Sequence, residues 1–310
     1  MTKNSKNYVF SLIRNIATTI TTTILFGFML TACLGEDPFE KQRKADESTI
    51  RAYVADKKLQ GSFTASGLYY DTITNDRIKN QRVVRVTENS IVQISYKLTD
   101  LQGILLQKTD STYFFQPSVG AFFSGLAEGI LLTRKGQNAI FIIPSLLALG
   151  SQARTVGGVS VAPNSCLRLE VTVHEVRTQT EQDVYENKLI KTHIIENKRT
   201  ITQDSSEVVF VRTSAPILTG ARFKIGDNVK ITYEGRRLDG TTFDKGTLPS
   251  IGTAPLQGYI KGFMTGITMM REGETGFIYM NSSAAYGAAG TSGKIAPFAP
   301  LVFEITALSR

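Results

Sequence analysis

The stretch YIKGFMTGITMMREGE, residues 259–274, occurs in the chain in two versions. The earlier version, FFSGLAEGILLTRKGQ, occupies residues 122–137, so that Phe122 stands opposite Tyr259. Each version contains a short apolar run with helical character, around 125–132 and 262–269. A fixed internal period is the signature of a repeated structural unit. We therefore expect the chain to contain one unit twice.

The segments on either side repeat at nearly the same spacing. VQISYKLTDLQGILL, from Val92, aligns with VKITYEGRRLDGTTF, from Val229, at the same offset as the first pair. Near the start of each unit, IRAYVADKK, from Ile50, aligns with IKTHIIENK, from Ile190, at a slightly larger offset. At the end of each unit, LRLEVTVHEV corresponds to LVFEITALSR. The repeat therefore includes both ends of each unit.

A charged helical pattern precedes each unit, at 38–59 and at 181–199, with apolar residues at helical spacing. Such helices could form a coiled coil, bind a partner, or connect and pack against domains. Neither pattern sustains an apolar heptad over a long stretch, so connecting or domain-packing helices are favoured.

The strands are expected to be mainly antiparallel. The run TGFIYMN, residues 275–281, puts Phe277 and Tyr279 on one face, which predicts a half-buried strand. Asp239-Gly240 between two strand-like runs predicts a tight hairpin turn. The predicted fold class is α+β: two domains, each an antiparallel sheet curved around one short helix, with an additional helix before each domain.

Composition narrows the classes of function. The 310 residues suffice for two domains, and 42% apolar with 20% charged residues is ordinary for a globular chain. The net charge of +8 is modest, and no basic run with interleaved aromatic residues is present. Nucleic-acid binding is therefore not expected.

The N-terminus has the layout of an export signal. Lys3, Lys6 and Arg14 precede a long uncharged apolar segment that ends in MLTAC at Cys33. This junction resembles a bacterial lipoprotein signal, which implies cleavage after residue 32 and lipid attachment at the Cys33 thiol. A plain transmembrane anchor and a soluble secreted protein are the alternatives. The expectation is an exported chain bound to a membrane of the bacterial envelope, with the outer membrane favoured and its periplasmic or surface face undecided.

Several kinds of catalytic chemistry find no support in the sequence. The only cysteines are Cys33 and Cys166, so no disulfide framework is expected, and Cys166 lies in a strand-like run where a small buried side chain fits. His174 and His193 are the only histidines. No metal site, cofactor-binding motif or nucleophile with an oriented base is expected.

Three separated motifs in the second unit carry a family resemblance. VKITYEGRRLDGTTFDKG, GYIKGFMTGITMMREGE and AAYGAAGTSGKIAPFAPLVFEI together resemble the FKBP-type peptidyl-prolyl isomerases over about residues 220–310. A degenerate version spans about 85–177. The resemblance implies two FKBP-like domains and cofactor-free isomerisation of Xaa-Pro bonds in unfolded or folding proteins. A non-catalytic chaperone or binding lipoprotein is the main alternative, and a surface structural or adhesion lipoprotein is a third.

The resemblance also implies a pocket. Phe263 would form its floor, where the family usually has Trp, and IAPF stands where the family often has IPPH. Ile260 would offer its backbone N–H at the rim, and Tyr286 would direct its hydroxyl at the substrate. The implied catalytic residues are Tyr233, Phe243, Asp244, Ile260, Phe263, Tyr286 and Phe303, and the implied substrate-binding residues are Tyr259, Ile295 and Phe298.

The first unit lacks most of these groups. At the common offset of the repeat, Tyr233 corresponds to Tyr96, but Phe243, Asp244 and Phe263 correspond to Leu106, Gln107 and Leu126. Local alignment places Leu149 and Leu169 opposite Tyr286 and Phe303. The first unit is therefore expected to be inactive and to serve as a spacer, a dimerisation surface or a client-binding surface.

The oligomeric state is not predicted. The expected boundaries are 1–32 signal peptide, 33–60 helical linker, 61–178 degenerate domain, 179–204 helical linker and 205–310 isomerase domain.

Overall fold

The computed structural model describes residues 37–74, 83–109, 113–119, 122–248 and 256–309. The predicted signal segment and Cys33 lie outside these ranges. Within them, no helix combines the length and the apolar character needed to cross a bilayer.

The first unit is an antiparallel sheet preceded by a helix. The sheet order is β1–β2–β6–β9–β3–β4, with β5 also paired to β3. The elements are α1 (Pro38–Asp56), β1 (Ser62–Phe63), β2 (Tyr69–Thr74), β3 (Ile91–Asp100), β4 (Leu105–Lys108), β5 (Tyr113–Phe115), α2 (Ser124–Leu131), β6 (Gln137–Ile143), β7 (Arg154–Val156), β8 (Val159–Val161) and β9 (Leu167–Arg177).

The second unit repeats this plan. Its sheet order is β10–β11–β14–β15–β12–β13, again antiparallel. The Asp239-Gly240 hairpin between β12 and β13 is confirmed, with Gly240 at a φ of 86°. The elements are α3 (Gln179–Glu196), β10 (Gln203–Asp204), β11 (Val208–Arg212), β12 (Lys230–Arg237), β13 (Thr242–Leu248), α4 (Lys261–Thr268), β14 (Thr275–Met280) and β15 (Leu301–Ser309). The predicted fold class is therefore confirmed.

The short helix of each unit lies very close to a strand, and glycine permits this approach. A Cβ at Gly266 of α4 would lie 2.2 Å from Ile278 Cγ2 on β14. In α2, a Cβ at Gly125 would lie 2.4 Å from Ile143 Cγ2 on β6. Both distances are far below van der Waals contact, so a larger residue would push the helix off the sheet. The repeated stretch around each short helix thus fixes how helix and sheet pack.

The long helices α1 and α3 pack on the outer faces of the sheets. Ile190 and Ile194 of α3 are buried against a group that includes Phe277 and Tyr279 of β14. The prediction of a half-buried strand at 275–281 is therefore wrong, because α3 covers the face that would otherwise meet solvent. Residues 276–280 are all buried.

Each long helix is also held by a buried carboxylate. Asp46 of α1 accepts hydrogen bonds from the N–H and the hydroxyl of Ser145, at 2.8 and 2.7 Å. Glu186 of α3 accepts from the N–H and the hydroxyl of Ser282, at 2.6 and 2.9 Å. Both carboxylates are almost fully buried. The long helices therefore pack on the sheets, as expected for domain-packing helices. The buried hydrogen bonds between a helix carboxylate and a serine occur in both units.

One side chain of α3 joins the two units. The Tyr185 ring lies 6.0 Å from the Phe114 ring, and the Arg177 guanidinium lies 4.3 Å from the Tyr185 ring centroid. Both partners belong to the first unit. The next residue, Glu186, is anchored in the second unit, so consecutive residues of α3 contact different units.

The remaining candidate side chains of the sequence have structural surroundings. Cys166 is a buried free thiol, and burial raises its pKa to about 12, with the nearby Asp46 carboxylate adding to the effect. This confirms the expected inert role. His174 lies on β9 beside Ser95, with Nε2 at 2.9 Å from the hydroxyl, and His193 lies on α3.

Candidate active site

Aromatic rings from four elements of the second unit meet at one end of the sheet. Phe303 of β15 lies between Phe263 of α4, at 5.2 Å between ring centroids, and Phe243 of β13, at 5.6 Å. Tyr233 of β12 lies 6.1 Å from Phe263, and Tyr259, just before α4, lies 5.5 Å from it. Three of these contacts are edge-to-face, a favourable geometry for aromatic pairs. We call these five residues the ring cluster.

The ring cluster depends on a glycine that the sequence analysis missed. Gly235 of β12 pairs with Phe303 of β15. A Cβ at Gly235 would lie 2.6 Å from Phe243 Cζ and 2.8 Å from Phe303 Cε1. In the first unit, Leu98 occupies the corresponding position and pairs with Leu169. The alignment of the two repeats already places Gly235 opposite Leu98, and that substitution is the signal that could have found it.

A carboxylate and two phenols lie beside the rings. Tyr233 donates a hydrogen bond from its hydroxyl to Asp244 Oδ2 at 3.0 Å. Burial, together with this bond to Asp244, raises the pKa of Tyr233 to about 12. Burial and the Asp244 charge also raise the pKa of Tyr286. Both phenols therefore keep their protons at neutral pH and can act as hydrogen-bond donors.

Two donors near the rings have no protein acceptor. Among the described residues, nothing accepts a hydrogen bond from the Ile260 N–H or from the Tyr286 hydroxyl. Ile260 is the residue just before α4, with φ −59° and ψ 148°, and no side chain caps the helix there. A ligand carbonyl could therefore accept from either group.

The structure brings together all of the predicted pocket residues except Phe298. Phe263, Ile295 and Phe303 are core residues, and the half-buried predicted residues pack against that same core. Asp244 is exposed but is tied to the group through Tyr233. Phe298 is buried in the left-handed region at a φ of 55°, and its N–H donates to the Gly287 carbonyl at 3.0 Å. In the described second unit, no ring contact joins Phe298 to the ring cluster, so it braces the loop that follows Tyr286.

The corresponding region of the first unit carries leucines in place of the aromatic rings. Leu98, Leu106 and Leu126 are all buried in the first core. Tyr96 remains, 5.5 Å from the Phe122 ring, and burial raises its pKa to about 12. Gln107 stands at the position of Asp244, so the carboxylate is absent there.

The second unit brings together aromatic rings with two donors beside them where the first unit has leucines, and the two sheets repeat one plan, so the chain is a tandem of two related domains. Elsewhere in the described ranges, no three His, Cys, Asp or Glu side chains lie together as metal ligands would. The profile of the FKBP-type peptidyl-prolyl cis-trans isomerase family matches residues 83–174 and 220–308, more than half of the chain. The chain belongs to this family.

Curated relatives share this assignment over part of their length. Over 88 residues the chain is 38% identical to the peptidyl-prolyl cis-trans isomerase Mip of Coxiella burnetii, covering 27% of this chain and 37% of that protein. Over 80 residues it is 39% identical to the probable FKBP-type isomerase FkpA of Neisseria meningitidis, covering 26% and 29%. A human relative, peptidyl-prolyl cis-trans isomerase FKBP9, is 26% identical over 230 residues, covering 72% of this chain and 35% of the relative. The chain thus spans well under half the length of these proteins.

Proposed function

We propose that the second unit is a peptidyl-prolyl cis-trans isomerase and that its ring cluster binds the proline of an Xaa-Pro segment. The observation that carries this proposal is the ring cluster beside two donors, the Ile260 N–H and the Tyr286 hydroxyl, for which the described residues provide no acceptor. The family assignment supports it.

The reaction needs no nucleophile. Rotation about an Xaa-Pro bond is slow because amide resonance imposes a barrier of about 18–20 kcal/mol. The twisted amide has less charge separation than the planar amide, so a dry aromatic site favours it. A site that binds the twisted state more tightly than either planar state accelerates the rotation.

Each predicted residue has a role in this scheme. Phe263 and Phe303 form the floor under the proline ring, since both are nearly fully buried and pack edge to face. The Ile260 N–H and the Tyr286 hydroxyl orient the carbonyls on either side of the twisted bond. Asp244 holds the Tyr233 hydroxyl and adds a negative charge at the mouth of the pocket.

The first unit is proposed to be inactive because leucines stand in place of the aromatic rings and Gln107 replaces the carboxylate. The proposed domains are 61–178 and 205–310, each preceded by its helical segment. On the sequence evidence of an export signal ending at Cys33, the protein is proposed to be lipid-anchored in the bacterial envelope. Its substrates are proposed to be unfolded or folding envelope proteins.

The test is exchange between cis and trans proline in a short Xaa-Pro peptide, measured by NMR with the mature full chain. The double variant D244L/Y286F should lower the exchange rate strongly and leave the free energy of unfolding nearly unchanged, because both side chains lie at the pocket mouth. The matched control is Q107L, which makes the corresponding change in the first unit. Wild-type rates in D244L/Y286F would contradict the site assignment. Suppression of aggregation without any exchange would instead favour the chaperone alternative.

A further inference from the structure

A cleft of about 520 Å³ lies between the two units. Its walls are Tyr113 and Val119 of the first unit, and Arg237 with the loop 289–297 of the second unit. A volume of this size is typical of sites that hold small ligands or short peptide segments. The walls are held in place because Phe114, next to Tyr113, packs against Tyr185 of α3.

The cleft borders the core that contains the residues of the proposed proline pocket. Ile295 lines the cleft and also belongs to the core cluster that contains Phe263 and Phe303. An extended chain advances about 3.3 Å per residue. A polypeptide with its proline on the ring cluster could therefore place the residues that flank the proline in the cleft.

Two polar atoms in the cleft walls lack partners. Thr291 Oγ1 and Arg237 Nε are buried, and neither has a hydrogen-bond partner among the residues that the structure describes. Buried polar atoms are nearly always hydrogen-bonded, so the Arg237 Nε–H and the Thr291 hydroxyl are two groups that a bound peptide could satisfy. The carbonyl groups of an extended peptide could accept hydrogen bonds from both.

The charge of the cleft selects among peptides. Arg237 and the exposed Lys294 contribute two cations, whereas none of the described residues that line the cleft is acidic. Asp239 lies outside the lining and pairs with Arg237 at 3.5 Å in an exposed position. The opposite wall offers Val119, with 56% of its surface exposed. The cleft therefore suits a segment with acidic and apolar side chains.

We propose that this cleft binds the polypeptide segment that flanks the isomerised proline and that it favours acidic flanks. This inference rests on the proposed function of the second unit. It gives the first unit a role in substrate selection, since Tyr113 and Val119 contact a client whose proline lies in the other unit.

The test uses the mature full chain and three peptides. One is a short Xaa-Pro peptide, and the other two extend it at both ends with either glutamates or lysines. NMR exchange at low ionic strength gives kcat/KM for each. The wild type should prefer the acidic over the basic extension about fivefold, which corresponds to about 1 kcal/mol for an exposed ion pair. K294E should abolish or reverse this preference, and V119S should lower kcat/KM for both extended peptides about threefold.

Matched controls separate the cleft from general effects. K230E changes the same charge at the other end of β12 from Arg237 and should leave the preference unchanged. V83S alters an equally exposed first-unit valine and should change no rate. Equal turnover of the two extended peptides by the wild type, or an equal effect of K230E and K294E, would overturn the proposal.

Failure of the proposed function gives a different result. If the wild type does not accelerate exchange in the short peptide, the isomerase proposal fails on its own. Calorimetric titration of the extended peptides then still tests the cleft, because acidic peptides should bind the wild type more tightly than K294E. No difference in that titration would overturn the cleft as well.

Discussion

The glycine behind the ring cluster gives the sharpest prediction for the proposed isomerase. In G235A the new Cβ would lie 2.6 Å from Phe243 Cζ and 2.8 Å from Phe303 Cε1, so a ring must move by about 1 Å to reach ordinary contact. Phe303 is only 4% exposed and has no free space, whereas Phe243 is half-buried on the edge strand β13. Phe243 is therefore the ring that turns outward.

The size of the effect follows from that movement. Overpacking of this kind costs about 1–3 kcal/mol in the free energy of unfolding. When Phe243 turns outward, the twisted amide loses one ring contact and part of the apolar surface that would cover it. Together these losses weaken binding of the twisted amide by about 2 kcal/mol. Such a loss corresponds to about a thirtyfold decrease in kcat/KM.

NMR exchange with a short Xaa-Pro peptide measures the rate, and urea unfolding measures the stability. The control is G246A on β13, where a Cβ would lie at an ordinary 3.5 Å from the Tyr233 ring. G246A should retain wild-type kcat/KM. If G235A also retains it, with unchanged stability, the reasoning about how the pocket is kept open is wrong.

Three further predictions concern titratable groups. Burial raises the pKa of Glu186 above its ordinary value of 4.5, so the folded state binds this proton more tightly than the unfolded state. The stability of the wild type relative to E186Q should thus be highest below pH 4.5 and should fall as the pH rises through the raised pKa, which urea titrations at several pH values can measure. Because the pKa of Tyr233 is raised from 10.0 to about 12, deprotonation of Tyr233 should cause no inflection in the pH profile of kcat/KM below pH 10. The wild type and Y233F should therefore have pH profiles of the same shape in that range. In a C33S chain, Cys166 with its pKa of about 12 should react with a thiol reagent about a thousandfold more slowly than a free cysteine, until urea unfolds the protein.

The sequence predicted the repeated architecture because the repeat itself is local information. The short helices at 125–132 and 262–269 appear one residue earlier, at 124–131 and 261–268. The pocket residues were predicted from the family resemblance of three separated motifs, and the structure brings all of them except Phe298 together. Their convergence in space supports the proposed roles without testing them.

What the sequence did not predict depends on contacts between distant segments. The bond from Ser282 to Glu186 joins residues far apart in the chain, and no local pattern marks it. β14 is buried on both faces because α3 packs on the outer face of the sheet. Phe298 is buried with a positive φ and makes no ring contact with the ring cluster in the described second unit, so its role in substrate binding stays a prediction. The cleft requires the relative placement of two units, which neither repeat encodes alone.

The buried hydrogen bonds of the helix carboxylates determine where the chain can be divided into stable fragments. Because Glu186 is buried under Ser282, α3 belongs physically to the unit that follows it. A fragment that starts at 205 would expose the apolar faces of Phe277 and Tyr279 to water, whereas one that starts at 178 keeps both the helix and its Thr178 cap. The physical module is thus a helix with its sheet, and its removal would also uncover Phe114 of the first unit, on which Tyr185 of α3 packs.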